Sequence, residues 1–309
     1  MTEHTDTILS TLRKAPGFKE VTADQVTITR LGGLTNLVHL VETPTANVVV
    51  RIPGDGTEDY IDRAIEKTNA IAAWRAGISP EVLWADAETG DMVMRAVDNI
   101  ETMTPALFKT RAGSPERAGQ ALAKLHTSGE TFDFRFELFS MIGDYLGVLS
   151  TRDVDLPDGY HDVVKAAEPV KAAIAANDIP LAPCHCDPLC ENFLDDGQTM
   201  WIVDWEYSGM NDPLWDVGDL SVEAEMNGDQ EAELLQGYFG RAPTDAEMGR
   251  VVIYKAMCDL LWTLWGLIQH ADDNPAEDFW AYATTRFDRC KALMNSDSFA
   301  GHVAAVKAG

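Results

Sequence analysis

The stretch PCHCDPLCEN (183–192) brings three cysteines, a histidine and two acids close together. Two chemistries fit that composition. One is thiolate coordination of a metal; the other is a reaction run by the His, Asp and Asn, with the cysteines as filler. His185, Asp187 and Asn192 have the spacing H-x-D-x-x-x-x-N, and Asp204 follows twelve residues later, after the apolar run Trp201-Ile-Val203. Phosphoryl transfer from ATP needs few protein parts. One carboxylate orients the attacking hydroxyl and accepts its proton, while an amide and a second carboxylate hold Mg2+ on the phosphates. Asp187, Asn192 and Asp204 match those roles in order. Any one of them alone reads as a turn residue; the set, with an apolar strand leading into Asp204, reads as a site.

This spacing is the protein-kinase signature, and it makes a demand upstream. A basic residue on the third strand must grip the phosphates while paired to a Glu from the next helix. Arg51 ends the run VVVR (48–51), and Glu66 lies in a helical stretch. Arg stands where protein kinases carry Lys, and its fork also suits phosphate. There is no G-x-G-x-x-G and no Walker A. LGGLTN (31–36) takes their place in the first turn, which makes Gly32, Gly33, Thr35 and Asn36 the candidates for approach to the nucleotide.

The elements that must position these residues are legible in outline. Stretches 26–30, 37–41 and 47–52 are rich in β-branched residues and read as strands, with 81–85 and 92–97 joined by the turn ETGD (88–91). Residues 57–76 read as a helix with Ile61, Ile65, Thr68 and Ala72 on one stripe and Gly77 as its stop. Ser114 as a capping residue, followed by Pro115, opens a helix that Gly129 closes. Helices are also expected over 169–176, 231–239 and 247–270, with later strands only at 182–185, 192–194 and 200–203. The plan is two-lobed α+β: an antiparallel-sheet lobe with one main helix over 1–97, then a mainly helical lobe over 98–309, with the hinge near 98–101.

Composition narrows the function classes. The 309 residues carry 24 basic and 50 acidic side chains, a net charge of −26. A field of that sign repels nucleic acid and anionic membrane surfaces and attracts cations. The polar start MTEHTDT lacks the order of a signal peptide, and no apolar run approaches the roughly 18 residues needed to cross a membrane. A cytoplasmic protein with reduced cysteines is expected, as monomer or homodimer, with neither nucleic-acid binding nor membrane insertion.

With these residues in view, the chain resembles the choline/ethanolamine kinase family, within the aminoglycoside-phosphotransferase group. GGLTN (32–36), VVVRIPGDGT (48–57), IDRAIEKTNA (61–70) and AGISPEVL (76–83) carry the resemblance in the first part. LAKLH (122–126), CHCDPLCENFL (184–194), IVDWEYSGMNDPLWDVGDL (202–220), LWTLWGLIQH (261–270) and FWAYATTRF (279–287) carry it in the rest. It implies a protein-kinase-like fold, ATP and Mg2+ as cofactors, and a cationic alcohol as phosphoryl acceptor. Asp187 would be the base, Asn192 and Asp204 the metal ligands, and Arg51 with Glu66 the phosphate-gripping pair. Asp216 would brace the catalytic loop, and His185 would hold its geometry beside Asp187.

The acceptor must be argued from its pocket. A quaternary ammonium is recognised by aromatic faces and nearby carboxylates. Trp262 and Trp265 stand three apart on one helix, and in the resembled family such a pair helps line the choline pocket. Glu206, Tyr207, Glu223 and Tyr282 are the further candidates. The stretch after Glu223 has no aromatic through Gly228, a departure that favours ethanolamine or another amino alcohol. The alternatives are a kinase of thiamine or an aminoglycoside, and a non-catalytic zinc module or kinase-like binding protein. On an extended segment Cys184 and Cys186 point away from His185 and Asp187, and a one-residue gap is short for structural zinc. The kinase reading is therefore preferred.

Overall fold

The structure is a computed structural model, and it describes residues 5–32, 36–54 and 61–309. The first part contains α1 (Thr5–Leu12), β1 (Thr27–Arg30), β2 (Asn36–Glu42), β3 (Asn47–Pro53), α2 (Arg63–Arg75), β4 (Val82–Ala85) and β5 (Met92–Arg95). The five strands form an antiparallel sheet in the order β1-β2-β3-β5-β4. Strand alternation explains where its parts face. Val48 and Val50 bury against Ile8, Leu9 and Leu12 of α1, which the sequence reading missed. Arg51, one position on, faces the other way, where its guanidinium meets Glu66 of α2.

Helix α2 departs from its expected stripe. Asp62 caps it, accepting from the N–H groups of Ala64 and Ile65 at 3.0 and 3.1 Å, and Gly77 ends it at φ 71°. Its buried positions are Arg63, Glu66, Asn69, Ala70, Ala72 and Ala73, while Thr68 is exposed. The buried face is polar because it lies on functional machinery rather than on an apolar layer: Asn69 Nδ2 donates to the Ser208 carbonyl at 2.9 Å. The expected helical residues 57–60 lie outside the described residues.

The chain continues through Asn99, at φ 57°, into β6 (Glu101–Thr102), then α3 (Pro105–Thr110), α4 (Ser114–His126), α5 (Leu138–Leu149), α6 (Tyr160–Ala166) and α7 (Glu168–Ala175). A small-strand region follows, β7 (Ala182–Cys184), β8 (Phe193–Asp195), β9 (Met200–Ile202) and β10 (Gly209–Asn211). Five helices complete it: α8 (Leu214–Glu223), α9 (Gly228–Phe239), α10 (Asp245–Ala271), α11 (Phe279–Met294) and α12 (Phe299–Ala308). The fold is the expected one, an antiparallel sheet with helices followed by a mainly helical part. Ser114 does not cap α4; Gly113, at φ 70°, does, and Ser114 Oγ is buried without a partner among the described residues.

Helix α10 corrects a further expectation. It is long and apolar enough to cross a membrane by length and composition, yet 83% of its most apolar 18-residue segment is buried inside the protein. Lys255 and Asp259 interrupt the run by eye without lowering its mean hydropathy below that of a span. Helix α8 approaches α10 closely at Gly218, where a Cβ would come within 2.8 Å of the Val251 carbonyl oxygen. That approach brings the acids of α8 to the tryptophans of α10.

Candidate active site

The loop after β7 is held from below by α8. Cys186 adopts φ 68°, so the chain turns instead of running extended, as the zinc argument had assumed. Asp216, in the first turn of α8, stabilises the turn by accepting the His185 and Cys186 N–H groups at 2.7 and 2.8 Å. His126 of α4 bonds the same carboxylate at 2.9 Å, and Trp215 Nε1–H donates to the Cys186 carbonyl at 3.0 Å. His185 is fully buried. Its Nε2 bonds the Val203 carbonyl at 2.9 Å, and its Nδ1 accepts the Asp187 N–H at 3.3 Å. Burial holds its pKa below the ordinary value, in keeping with a neutral ring. Both nitrogens are thus engaged with backbone, and His185 supports the loop rather than presenting a free base.

Asp187 comes off this support half-buried. Burial, then the charges of Asp219, Glu223, Asp204 and Glu206, push its carboxyl well above the usual range. Asn192 Nδ2 donates to the Asp187 carbonyl at 3.1 Å, which leaves the Asn192 side-chain oxygen as an acceptor for another partner. The cysteines play a different part. Cys184 and Cys186 are fully buried, and burial pushes their thiols well up, away from the thiolate a zinc site needs. Another ligand-like trio, His126, Cys184 and Asp216, lies within 4.8 Å of one another. The Asp216 oxygens are already spent on the hydrogen bonds above.

Arg51 binds the acids that face the sheet. It pairs with Glu66, with Asp204 at 3.2 Å, and donates to the Gly90 carbonyl at 3.3 Å. Arg63, which the sequence reading missed, bridges Glu66 at 2.8 Å and Glu206 at 3.3 Å. Asn36 Nδ2 donates to Glu206 at 3.2 Å, across 170 residues of sequence. Glu206 was expected on the acceptor's ammonium; the structure instead engages it with Asn36 and Arg63. Burial, then Asp204, pushes Glu206 up to about 7. Carboxylate oxygens of Glu66, Asp204 and Glu206 lie within 4.8 Å of one another, and Asp204 keeps 31% of its side chain exposed. An all-oxygen donor set of this kind fits a hard divalent cation such as Mg2+. Gly32 is exposed with open space around it; Gly33 and Thr35 lie outside the described residues.

The expected aromatic residues converge from α10, α11 and the segment before β10. Trp265 Nε1–H donates to the Tyr207 hydroxyl at 3.1 Å, and Tyr207 meets Trp262 edge-on at 5.5 Å. Tyr282 meets Trp265 at 5.7 Å. Burial raises the Tyr282 hydroxyl pKa; Arg286 opposes this, and Glu223, Asp187 and Asp219 add to it, which places these charges around one ring. Glu223 is paired to Arg286 at 2.5 Å, and the Arg286 guanidinium lies over the Tyr282 ring at 4.5 Å. Arg286 and Asp219 were not singled out from sequence. The available signal for Asp219 was its position on the same face of α8 as Asp216 and Glu223. An open cleft of about 620 Å3 between 155–158 and the Trp280 face of α11 includes none of these residues.

Known proteins resemble this chain over most of its length. The model of the phosphotransferase enzyme family matches residues 27–250. A choline/ethanolamine kinase family protein from Mesorhizobium loti is 58% identical, with a TM-score of 0.89 and 99% of each chain covered. The choline kinase LicA from Streptococcus pneumoniae is 27% identical, with a TM-score of 0.74, covering 87% of this chain and 94% of that one. Ethanolamine kinase 2 of Homo sapiens is 28% identical over 290 residues, covering 83% of this chain and 73% of its own length.

Proposed function

The chain belongs to the phosphotransferase enzyme family and within it to the choline/ethanolamine kinases, and from that premise we propose that it phosphorylates the hydroxyl of choline or ethanolamine with ATP. The observation that carries the acceptor class is the aromatic group of Trp262, Trp265, Tyr207 and Tyr282, whose Tyr282 hydroxyl feels the charges of Glu223, Asp187 and Asp219. Rings and carboxylates attract an ammonium, and in this reading Asp187 receives the proton of the alcohol.

In this reading the acceptor oxygen forms a bond to the γ-phosphorus, the bond from that phosphorus to the β–γ bridging oxygen breaks, ADP leaves, and the proton passes to Asp187. Asn192 and Asp204 would hold Mg2+, which supplies positive charge against the phosphates when bound. Arg51, kept in place by Glu66, would grip the phosphates, and the turn 31–36 with Gly32, Gly33, Thr35 and Asn36 would approach them. His185 and Asp216 act as positioning residues. Glu223 contributes negative charge to the acceptor site through a carboxylate shared with Arg286. The small-molecule acceptor also accords with the net charge of −26, which favours a cation.

The test is ADP release with Mg·ATP over a panel of choline, ethanolamine, thiamine and aminoglycosides. Turnover with the first two is expected. Turnover confined to thiamine or an aminoglycoside would replace the acceptor assignment, and none at all would refute it.

A further inference from the structure

Helix α8 carries Asp216, Asp219 and Glu223 at i, i+3 and i+7, a spacing that lines them along one face. The outer two are satisfied: Asp216 by the loop amides and His126, Glu223 by Arg286. Asp219 is not. It is fully buried, its Oδ2 accepts Trp262 Nε1–H at 3.1 Å, and its Oδ1 has no hydrogen-bond partner among the described residues. A buried carboxylate oxygen without a donor is costly, and proteins keep few of them without a use.

The surroundings of Asp219 belong to the acceptor site. Trp262, which donates to its Oδ2, packs edge-on to Tyr207, and the Cys258 thiol of α10 also lies against the carboxyl. After burial, Asp219 heads the acids that raise Asp187 and it acts on Tyr282 as well, while burial and then Glu223 push the carboxyl of Asp219 itself well above its ordinary range. Aromatic faces and carboxylate oxygens read an ammonium differently. A ring responds to positive charge and accepts quaternary and N–H-bearing ammonium alike. A carboxylate oxygen gains a hydrogen bond only where an N–H is offered. The rings here are partly spent, because Arg286 covers one face of Tyr282, and residues 224–228 add no aromatic.

We propose that Asp219 is a specificity-determining residue: its Oδ1 accepts an N–H from the ammonium of the acceptor, so that alcohols bearing a primary, secondary or tertiary ammonium are preferred over a quaternary one. The proposal rests on the amino-alcohol kinase reading above and names the substrate class within it.

The experiment measures kcat/KM by ADP release for ethanolamine, N-methylethanolamine, N,N-dimethylethanolamine and choline, with the wild type and Asp219→Asn. Asn keeps an oxygen for Trp262 and replaces the unpartnered oxygen by a donor. Each methylation adds similar volume, so a size effect spreads over three steps, whereas an N–H effect falls on the last. The wild type should drop about tenfold at that last step, the value of one hydrogen bond to a buried charge, with the loss in KM. In Asp219→Asn the step should shrink to roughly threefold or less, because the N–H-bearing amines weaken while choline changes little. Even losses over all four amines in a folded variant, or an evenly spread series in the wild type, would overturn the assignment. Should Asp219→Asn not fold, the shape of the wild-type series decides alone. Turnover of none of the four would sink the kinase reading and this one together, whereas equal turnover of all four overturns only the role of Asp219.

Discussion

Asp216 and Cys186 form the joint between helix α8 and the loop that presents Asp187: the carboxylate accepts the Cys186 N–H at 2.8 Å, and Cys186 holds φ 68°. The next N–H toward the N-terminus, that of His185, uses the other oxygen at 2.7 Å. Asp216→Asn would turn one of these acceptors into a donor facing a donor. The variant should lose about 2–3 kcal/mol of stability and at least about tenfold in kcat, with nucleotide affinity changed far less. Urea denaturation and steady-state kinetics check both; a variant with wild-type kcat would show that the joint does not position Asp187.

The Arg51, Glu66, Arg63 group is nearly shielded from water, so removing one partner strands the others. Glu66→Ala should cost about 3–5 kcal/mol and weaken ATP binding. Replacing the pair together, as Arg51→Met with Glu66→Leu, should recover part of that stability while nucleotide binding stays lost. Recovery of both would separate the pair from the phosphates.

Trp265 contributes a ring and an N–H to Tyr207. Trp265→Ala should raise KM for the ammonium acceptor about tenfold, in line with a desolvated cation–π contact of about 1–2 kcal/mol, with kcat reduced much less and KM for ATP unchanged. An unaltered acceptor KM would remove the aromatic group from cation recognition.

The N-terminus of α10 supplies a pH prediction. In a capping box the Glu247 carboxylate accepts the Thr244 N–H at 2.7 Å, and it accepts two bonds from Arg241 at 2.7 and 2.8 Å, which with its other contacts hold its pKa at about 2. A carboxylate with a lowered folded pKa stabilises above its ordinary value, 4.5, and loses that contribution as pH falls toward 2. Arg241 is 54% exposed, so solvent screening holds the contribution to at most about 1 kcal/mol. Glu247→Gln should therefore lower Tm at pH 7 and differ less from the wild type near pH 3. A constant difference at both pH values would contradict the linkage.

Much of the site was legible because its residues are spaced locally. His185, Asp187 and Asn192 share one loop, and Asp204 follows the strand that packs beside it. The third-strand position of Arg51 was found by the same route. What escaped were residues whose meaning depends on a long-range partner. Arg63 reads as a surface residue until Glu206 reaches it from 143 positions away. Asp219 and Arg286 read as ordinary helical charges until α8, α10 and α11 meet. Helix α5, with Gly143 and Gly147 inside it, and α11, whose aromatics were read only as a motif, were missed as elements because packing overrides local propensity there. The polar buried face of α2 inverted the apolar-stripe rule for the same reason.

The central claim, that Asp187 drives ATP-dependent phosphorylation of an amino alcohol, is tested most directly by 31P NMR of reactions with Mg·ATP and ethanolamine or choline. The wild type should give a phosphomonoester of the amino alcohol in step with ADP. Asp187→Ala should give none while nucleotide binding, followed by calorimetry, stays nearly intact. Phosphomonoester formation by Asp187→Ala at the wild-type rate, or ADP from the wild type without any phosphorylated amino alcohol, would contradict the account.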